Sequence, residues 1–114
     1  MQETFDLAVD LNCEFINFYT VMPYPGSQLY EWAKMKEYLP KSWEAYSQHG
    51  YETHPLPTNY LSAKEVLKFR DEAFCRYNSN PVYLEMLERK FGKKVRTHIE
   101  NMLTVKVKRK ILGD

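Results

Sequence analysis

A chain of 114 residues is one domain's length, enough to bury a modest core. Hydrophobic residues make up 44% of it, which argues against intrinsic disorder, and a formal net charge of +1 gives no reason to expect nucleic acid or membrane. No apolar run approaches the roughly 18 residues of a spanning helix. No signal-peptide pattern follows Met1, so a cytoplasmic location is expected.

In chain order, residues 3–11 have helical spacing, with Phe5, Ala8 and Val9 on one side and Asn12 as a stop. Residues 15–22 are dominated by β-branched and aromatic types and read as a strand with apolar residues on both faces. Pro23 and Pro25 cannot donate to a ladder and end it, Gly26 is free to take positive φ, and Ser27 can cap a helix starting at Gln28. That helix is predicted over residues 28–38, burying Leu29, Trp32, Ala33 and Met35, with Pro40 closing it. Helix, strand, elbow and helix in that order form part of a βαβ array, whose binding loops lie beyond the carboxyl ends of the strands.

Residues 39–61 lose all periodicity while keeping Trp43, Tyr46, Tyr51 and two histidines, so a long ring-rich loop pinned onto other surface is predicted. A brief helical turn over residues 42–47 fits within it. Ser62 and Glu65 make a capping box that opens a helix to Tyr77, with Val66, Phe69, Ala73, Phe74 and Tyr77 inward. Asn80-Pro81 opens another, burying Tyr83, Met86, Leu87 and Phe91 before Gly92. A last helix is predicted over residues 93–112, with Val95, Ile99, Leu103, Val107 and Ile111 four apart. Three helices on short links are expected to pack as a small antiparallel group.

Candidate chemistry is sparse. His49 and His54 flank Glu52, but the spacing matches no helical metal pair, so a hydrogen-bonding or surface role is expected. Cys13 and Cys75 fit no metal or redox spacing and read as two buried thiols. Asn17 is the polar residue of the strand, either satisfied by neighbouring backbone or facing a ligand. The basic residues Arg89, Lys90, Lys93, Lys94, Arg96, Lys106, Lys108, Arg109 and Lys110 read as the wet face of a terminal helix. No aromatic platform is interleaved with them to favour nucleic acid.

The run Phe18-Tyr-Thr-Val-Met-Pro-Tyr-Pro-Gly-Ser27, continuing to Leu29-Tyr30, resembles the late-strand motif of radical S-adenosylmethionine proteins. The group it is most similar to carries a cobalamin-binding amino-terminal domain, as in the anaerobic magnesium-protoporphyrin ester cyclase and related Fe–S oxidoreductases. Residues 43–58 and the run Leu67-Lys-Phe-Arg-Asp-Glu-Ala-Phe74 extend the likeness over nearly the whole chain. The resemblance implies an α/β fragment, mostly helical. Residues 1–38 are then the last helix–strand–helix of a partial (β/α) barrel, 39–61 a connecting loop, and 62–114 a helical region.

The same likeness implies that Asn17, Tyr19 and Met22 approach the S-adenosylmethionine end of the barrel, with Tyr24 and Gly26 shaping the elbow beside it. The family's Cys-x-x-x-Cys-x-x-Cys, which binds the 4Fe–4S cluster, is absent, as is a Gly-rich S-adenosylmethionine loop. The chain alone is therefore expected to hold no cofactor and to be inactive. S-adenosylmethionine, the 4Fe–4S cluster and cobalamin belong to a full-length protein whose barrel and cobalamin domain are its partners, together with a small-molecule substrate. The alternative is a stand-alone helical module that recognises a partner or RNA through its basic last helix.

Overall fold

A computed structural model describes residues 1–114. It is mostly helical: α1 (Gln2–Leu11), α2 (Gln28–Met35), α3 (Ala63–Asn78), α4 (Pro81–Phe91) and α5 (Lys93–Leu103), with short 3-10 turns at Glu44–Tyr46 and Lys110–Leu112. No segment is hydrogen-bonded as a strand, residues 15–22 included. Two compact units result: one from Met1–Phe18 and Asp71–Lys106, the other from Tyr19–Arg70 and Val107–Asp114. α3 contributes residues to both units.

In the first unit, α1 ends where Asn12 turns left-handed (φ 46) and its N–H reaches the Ala8 carbonyl. Phe5 is buried, with Phe18 packed at 5.9 Å and the Arg76 guanidinium 4.3 Å above its ring. The α4 start matches the sequence closely: the Asn80 side chain accepts from the Val82 N–H at 2.9 Å, and Pro81 occupies the first turn. Gly92 (φ 87) ends α4 and opens α5, and Arg96 then bonds both Glu88 (2.8 Å) and Glu100 (3.0 Å). Phe91 lies 45% exposed, although its spacing placed it in the core.

Residues 12–18 are held here by their backbone. The Tyr77 hydroxyl donates to the Cys13 carbonyl at 2.7 Å and the Tyr83 hydroxyl to the Glu14 carbonyl at 3.1 Å, from rings 4.8 Å apart. Lys90 forms an ion pair with the Glu14 carboxylate, which lowers the pKa of that group. Side-chain exposure alternates along the stretch, odd residues out and even residues half-buried, although the chain bends at Glu14 and Phe15. That alternation puts Cys13 outside, and Cys75 is also exposed, so both thiols depart from the buried expectation.

Within the second unit, Ser27 Oγ accepts from the Tyr30 N–H (3.1 Å) and caps α2. The helix stops at Met35 instead of Tyr38 because Glu37 takes a left-handed conformation (φ 57), and the Tyr38 N–H closes back on the Ala33 carbonyl. Met35 is 77% exposed and Trp32 only partly covered, leaving Ala33 as the buried residue of this short helix. The capping box forms as expected: Ser62 N–H and Oγ both donate to Glu65 Oε2, at 2.8 and 2.7 Å.

The ring-rich loop is pinned by the tail. Arg109 is fully buried: Nη1 donates to the Gly50 carbonyl (2.9 Å) and Thr53 Oγ1 (3.0 Å), and Nη2 to the Gln48 carbonyl (3.2 Å). Next to it, the Lys110 N–H donates to the Tyr51 carbonyl, Lys110 Nζ pairs with Glu52, and the Tyr51 hydroxyl bonds the Asp114 carbonyl. α5 ends at Leu103 and not at Leu112, the expected end. β-branched Val105 and Val107 follow the helix end.

These bonds have two measurable consequences. Arg109→Ala strips a buried, multiply bonded cation and leaves its acceptors unmet, an expected loss of about 3–5 kcal/mol. Urea unfolding followed by tryptophan fluorescence measures it, because both tryptophans, Trp32 and Trp43, lie in this unit. In the first unit, burial above all pushes the Tyr77 phenol from 10.0 up to about 12, with Cys13 and Tyr83 adding to it. Its neutral form is the one the fold stabilises, so this contribution is full below pH 10 and is lost as pH rises from 10 toward 12. Tyr77→Phe should remove that alkaline component from a stability-against-pH curve and cost about 1–3 kcal/mol at neutral pH.

Candidate functional site

The second unit gathers the elbow, the ring-rich loop and the front of α3, and most polar contacts of the motif region lie there. Thr20 is the anchor. Its N–H and its hydroxyl both donate to Gln48 Oε1 at 3.0 Å, while Gln48 Nε2 donates to the Thr20 carbonyl at 2.9 Å. A side-chain amide thus does for one residue what a neighbouring strand would do. One residue on, the Val21 carbonyl accepts from the Leu56 N–H at 3.1 Å. Adjacent residues of an extended chain direct their backbone groups to opposite edges, so both edges are closed at residues 20 and 21.

Beside this clamp, His49 Nδ1 lies 3.2 Å from Arg70 Nη2. A guanidinium can only donate, so Nδ1 is the acceptor of this contact. The Tyr19 ring meets the same imidazole edge-on at 6.2 Å. Arg70 itself is buried. Across the elbow, Tyr24 stacks obliquely on Tyr46 (6.0 Å) and Tyr46 on Trp43 (5.6 Å). Burial, with Tyr30 adding, raises the Tyr46 phenol pKa. Desolvation and then the Lys41 charge lower that of His54.

The five residues singled out from sequence fall in different settings. Tyr19 and Tyr24 are exposed on the second unit, one against His49 and the other against Tyr46. Met22 is buried, only 5% exposed. Gly26 takes φ 87 with nothing within 4 Å of where a Cβ would stand, so backbone conformation and not space requires glycine there. Asn17 belongs to the first unit, is exposed, and has no side-chain hydrogen bond.

Gln48, Arg70 and Arg109 were not singled out as site residues. Arg70 had a signal: it stands on the inward row of α3 between Val66 and Ala73, a charge where the pattern calls for an apolar residue. Gln48 had none, being one polar residue among many in an aperiodic loop. The basic residues do not share one helix face either. Lys90, Arg96 and Lys110 stand in ion pairs, and Arg109 is interior. An open depression of about 430 Å³ on the first unit is lined by Lys93, Lys94, Thr97, His98 and Asn101, all from α5.

No group of three or more His, Cys, Asp or Glu side chains is assembled as a metal site, and no helix is long and apolar enough to cross a membrane. No protein family, curated protein or solved structure matches the chain. The arrangement's clearest chemical feature is therefore the Gln48 clamp. Gln48→Leu leaves the Thr20 N–H and carbonyl without partners and is expected to cost about 1–3 kcal/mol. Amide exchange at Thr20 should accelerate in that variant, while the amides of α4 keep their rates.

Proposed function

We propose that this chain is the carboxyl-terminal part of a radical S-adenosylmethionine enzyme of the cobalamin-binding type. The observation that carries the reading is the motif run 18–27 together with its setting. A helix, a stretch with two-residue periodicity, an elbow turning at Gly26 and a Ser27-capped helix succeed one another in the order of a β/α repeat. On this reading, residues 15–22 are the last strand of a partial (β/α) barrel, its neighbours lying elsewhere in the full-length protein.

The donor set does not fit the iron–sulfur cluster: Cys13 and Cys75 are the two thiols, both exposed and far apart in sequence. No redox step is therefore assigned to this chain. In the enzymes it resembles, S-adenosylmethionine is reduced to a 5′-deoxyadenosyl radical that takes hydrogen from a substrate, leading to methylation, cyclisation or rearrangement. On this reading Asn17, Tyr19 and Met22 approach the S-adenosylmethionine end, and Tyr24 and Gly26 shape the elbow beside it. The ion pairs of Arg96 with Glu88 and Glu100 leave less free charge on α5 for the alternative, an RNA- or partner-binding module built on the last helix.

Two measurements test the proposal. Incubated with iron, sulfide, a reductant and S-adenosylmethionine, the chain should release no 5′-deoxyadenosine above background; robust cleavage overturns it. The DNA upstream of Met1 should encode Cys-x-x-x-Cys-x-x-Cys in the same frame, and a frame closed without that motif sinks the assignment.

A further inference from the structure

Within the second unit, the loop that holds residues 20 and 21 is itself held by residues distant in sequence. Its neck is closed where the His54 N–H donates to the Ala45 carbonyl at 2.9 Å. Inside the neck, the buried Arg109 guanidinium ties together the Gln48 and Gly50 carbonyls and the Thr53 hydroxyl. The Lys110 N–H and Nζ fasten the same segment to Tyr51 and Glu52. Both grips on the motif stretch leave from either side of this cross-link. The Gln48 side chain takes Thr20, and the Leu56 N–H takes the Val21 carbonyl. Gln48 belongs to both arrangements, its carbonyl on Arg109 and its amide on Thr20. Thr20, Thr53, Leu56 and Arg109 are all buried, so water does not readily replace a partner that leaves.

We propose that segment 107–114 is a strap that sets this grip: Arg109 in its seat and residues 20 and 21 in their clamp are one cooperative state. Arg109 acts on the motif stretch through Gln48, which makes it a positioning residue for Tyr19 and Met22, the neighbours of the clamped pair. Losing the seat frees three loop acceptors at once. A loop seeking new partners does not hold the Gln48 amide in a two-way bond, which needs both its oxygen and its nitrogen in place. Coupling of this kind is reciprocal, so whatever loosens the clamp loosens the seat by the same factor. The exposed Lys110–Glu52 pair is then the outer fastening of the strap and Arg109 the inner one. The inference rests on these bonds and not on the enzyme assignment, so either can fail without the other.

Amide hydrogen exchange on the 114-residue chain reads the coupling from both sides. Arg109→Lys keeps the charge but loses the forked donors, and exchange at Thr20 and Leu56 should accelerate roughly fivefold or more. Gln48→Leu should accelerate the Arg109 and Lys110 amides, which bond Asp114 and the Tyr51 carbonyl, by roughly the same factor. In both variants the amides of Tyr30 and Tyr38, bonded around α2 in the same unit, should change less than about twofold. Unchanged Arg109 and Lys110 amides in Gln48→Leu overturn the proposal, as do unchanged Thr20 and Leu56 amides in Arg109→Lys. An equal rise at Tyr30 and Tyr38 also overturns it, because the whole unit has then loosened. Where Arg109→Lys loses its far-UV helix signal, Gln48→Leu decides alone, since it removes no buried charge.

Discussion

One buried guanidinium decides how the second unit is built. Arg109 reaches the carbonyls of Gln48 and Gly50 and the hydroxyl of Thr53, and Thr53 in turn lies 2.6 Å from the carbonyls of Ser47 and Gly50. A cation taken wholly from water is tolerated only where several acceptors replace its hydration. Here the acceptors are loop carbonyls that no helix or sheet would otherwise satisfy. The two deficits cancel: a loop with surplus acceptors and a tail with surplus donors. Gly50 belongs to the same arrangement, since a Cβ there would come within 3.1 Å of the Ser47 side chain, which would have to give by a few tenths of an ångström.

What sequence reveals about this fold is local, and what it conceals is tertiary. The stops and starts at Asn12, Ser27, Ser62–Glu65, Asn80-Pro81 and Gly92 are chemical properties of a few adjacent residues, and the structure uses each of them. The end of α5 is different. Ile111 and Val107 continue its apolar spacing, so nothing nearby signals a stop, while Arg109 binds acceptors some sixty residues earlier in the chain. Phe91 and Met35 err in the same way, because spacing tells which face of a helix is apolar without telling whether anything covers it. Of the residues considered for a site, Tyr19 and Tyr24 were legible as rings at a turn, but the Gln48 clamp and the Arg70–His49 contact needed the loop's path.

The stretch from Cys13 to Val21 separates two properties often treated as one. Side-chain alternation belongs to a single extended chain, and the exposure pattern here has it. Ladder hydrogen bonds belong to a pair of chains, and they are absent. In their place the first unit uses two tyrosine hydroxyls on consecutive carbonyls, and the second uses one glutamine amide and one loop N–H. Composition foretold the alternation because β-branched and aromatic residues favour extended backbone; it was silent on the ladder because the groups that substitute for it are side chains scattered through other segments.

That substitution bears on where chemistry can reside. Side chains that normally act on substrates are here occupied with backbone: two phenols with carbonyls, an amide with a threonine, a guanidinium with a loop, and an imidazole nitrogen with a second guanidinium. A phenol whose hydroxyl is donated to a carbonyl and whose ionisation is pushed up to about 12 is a poor acid, and a histidine whose Nδ1 accepts from arginine has lost one of its two sites for proton transfer. The polar groups of this chain hold non-helical backbone in place.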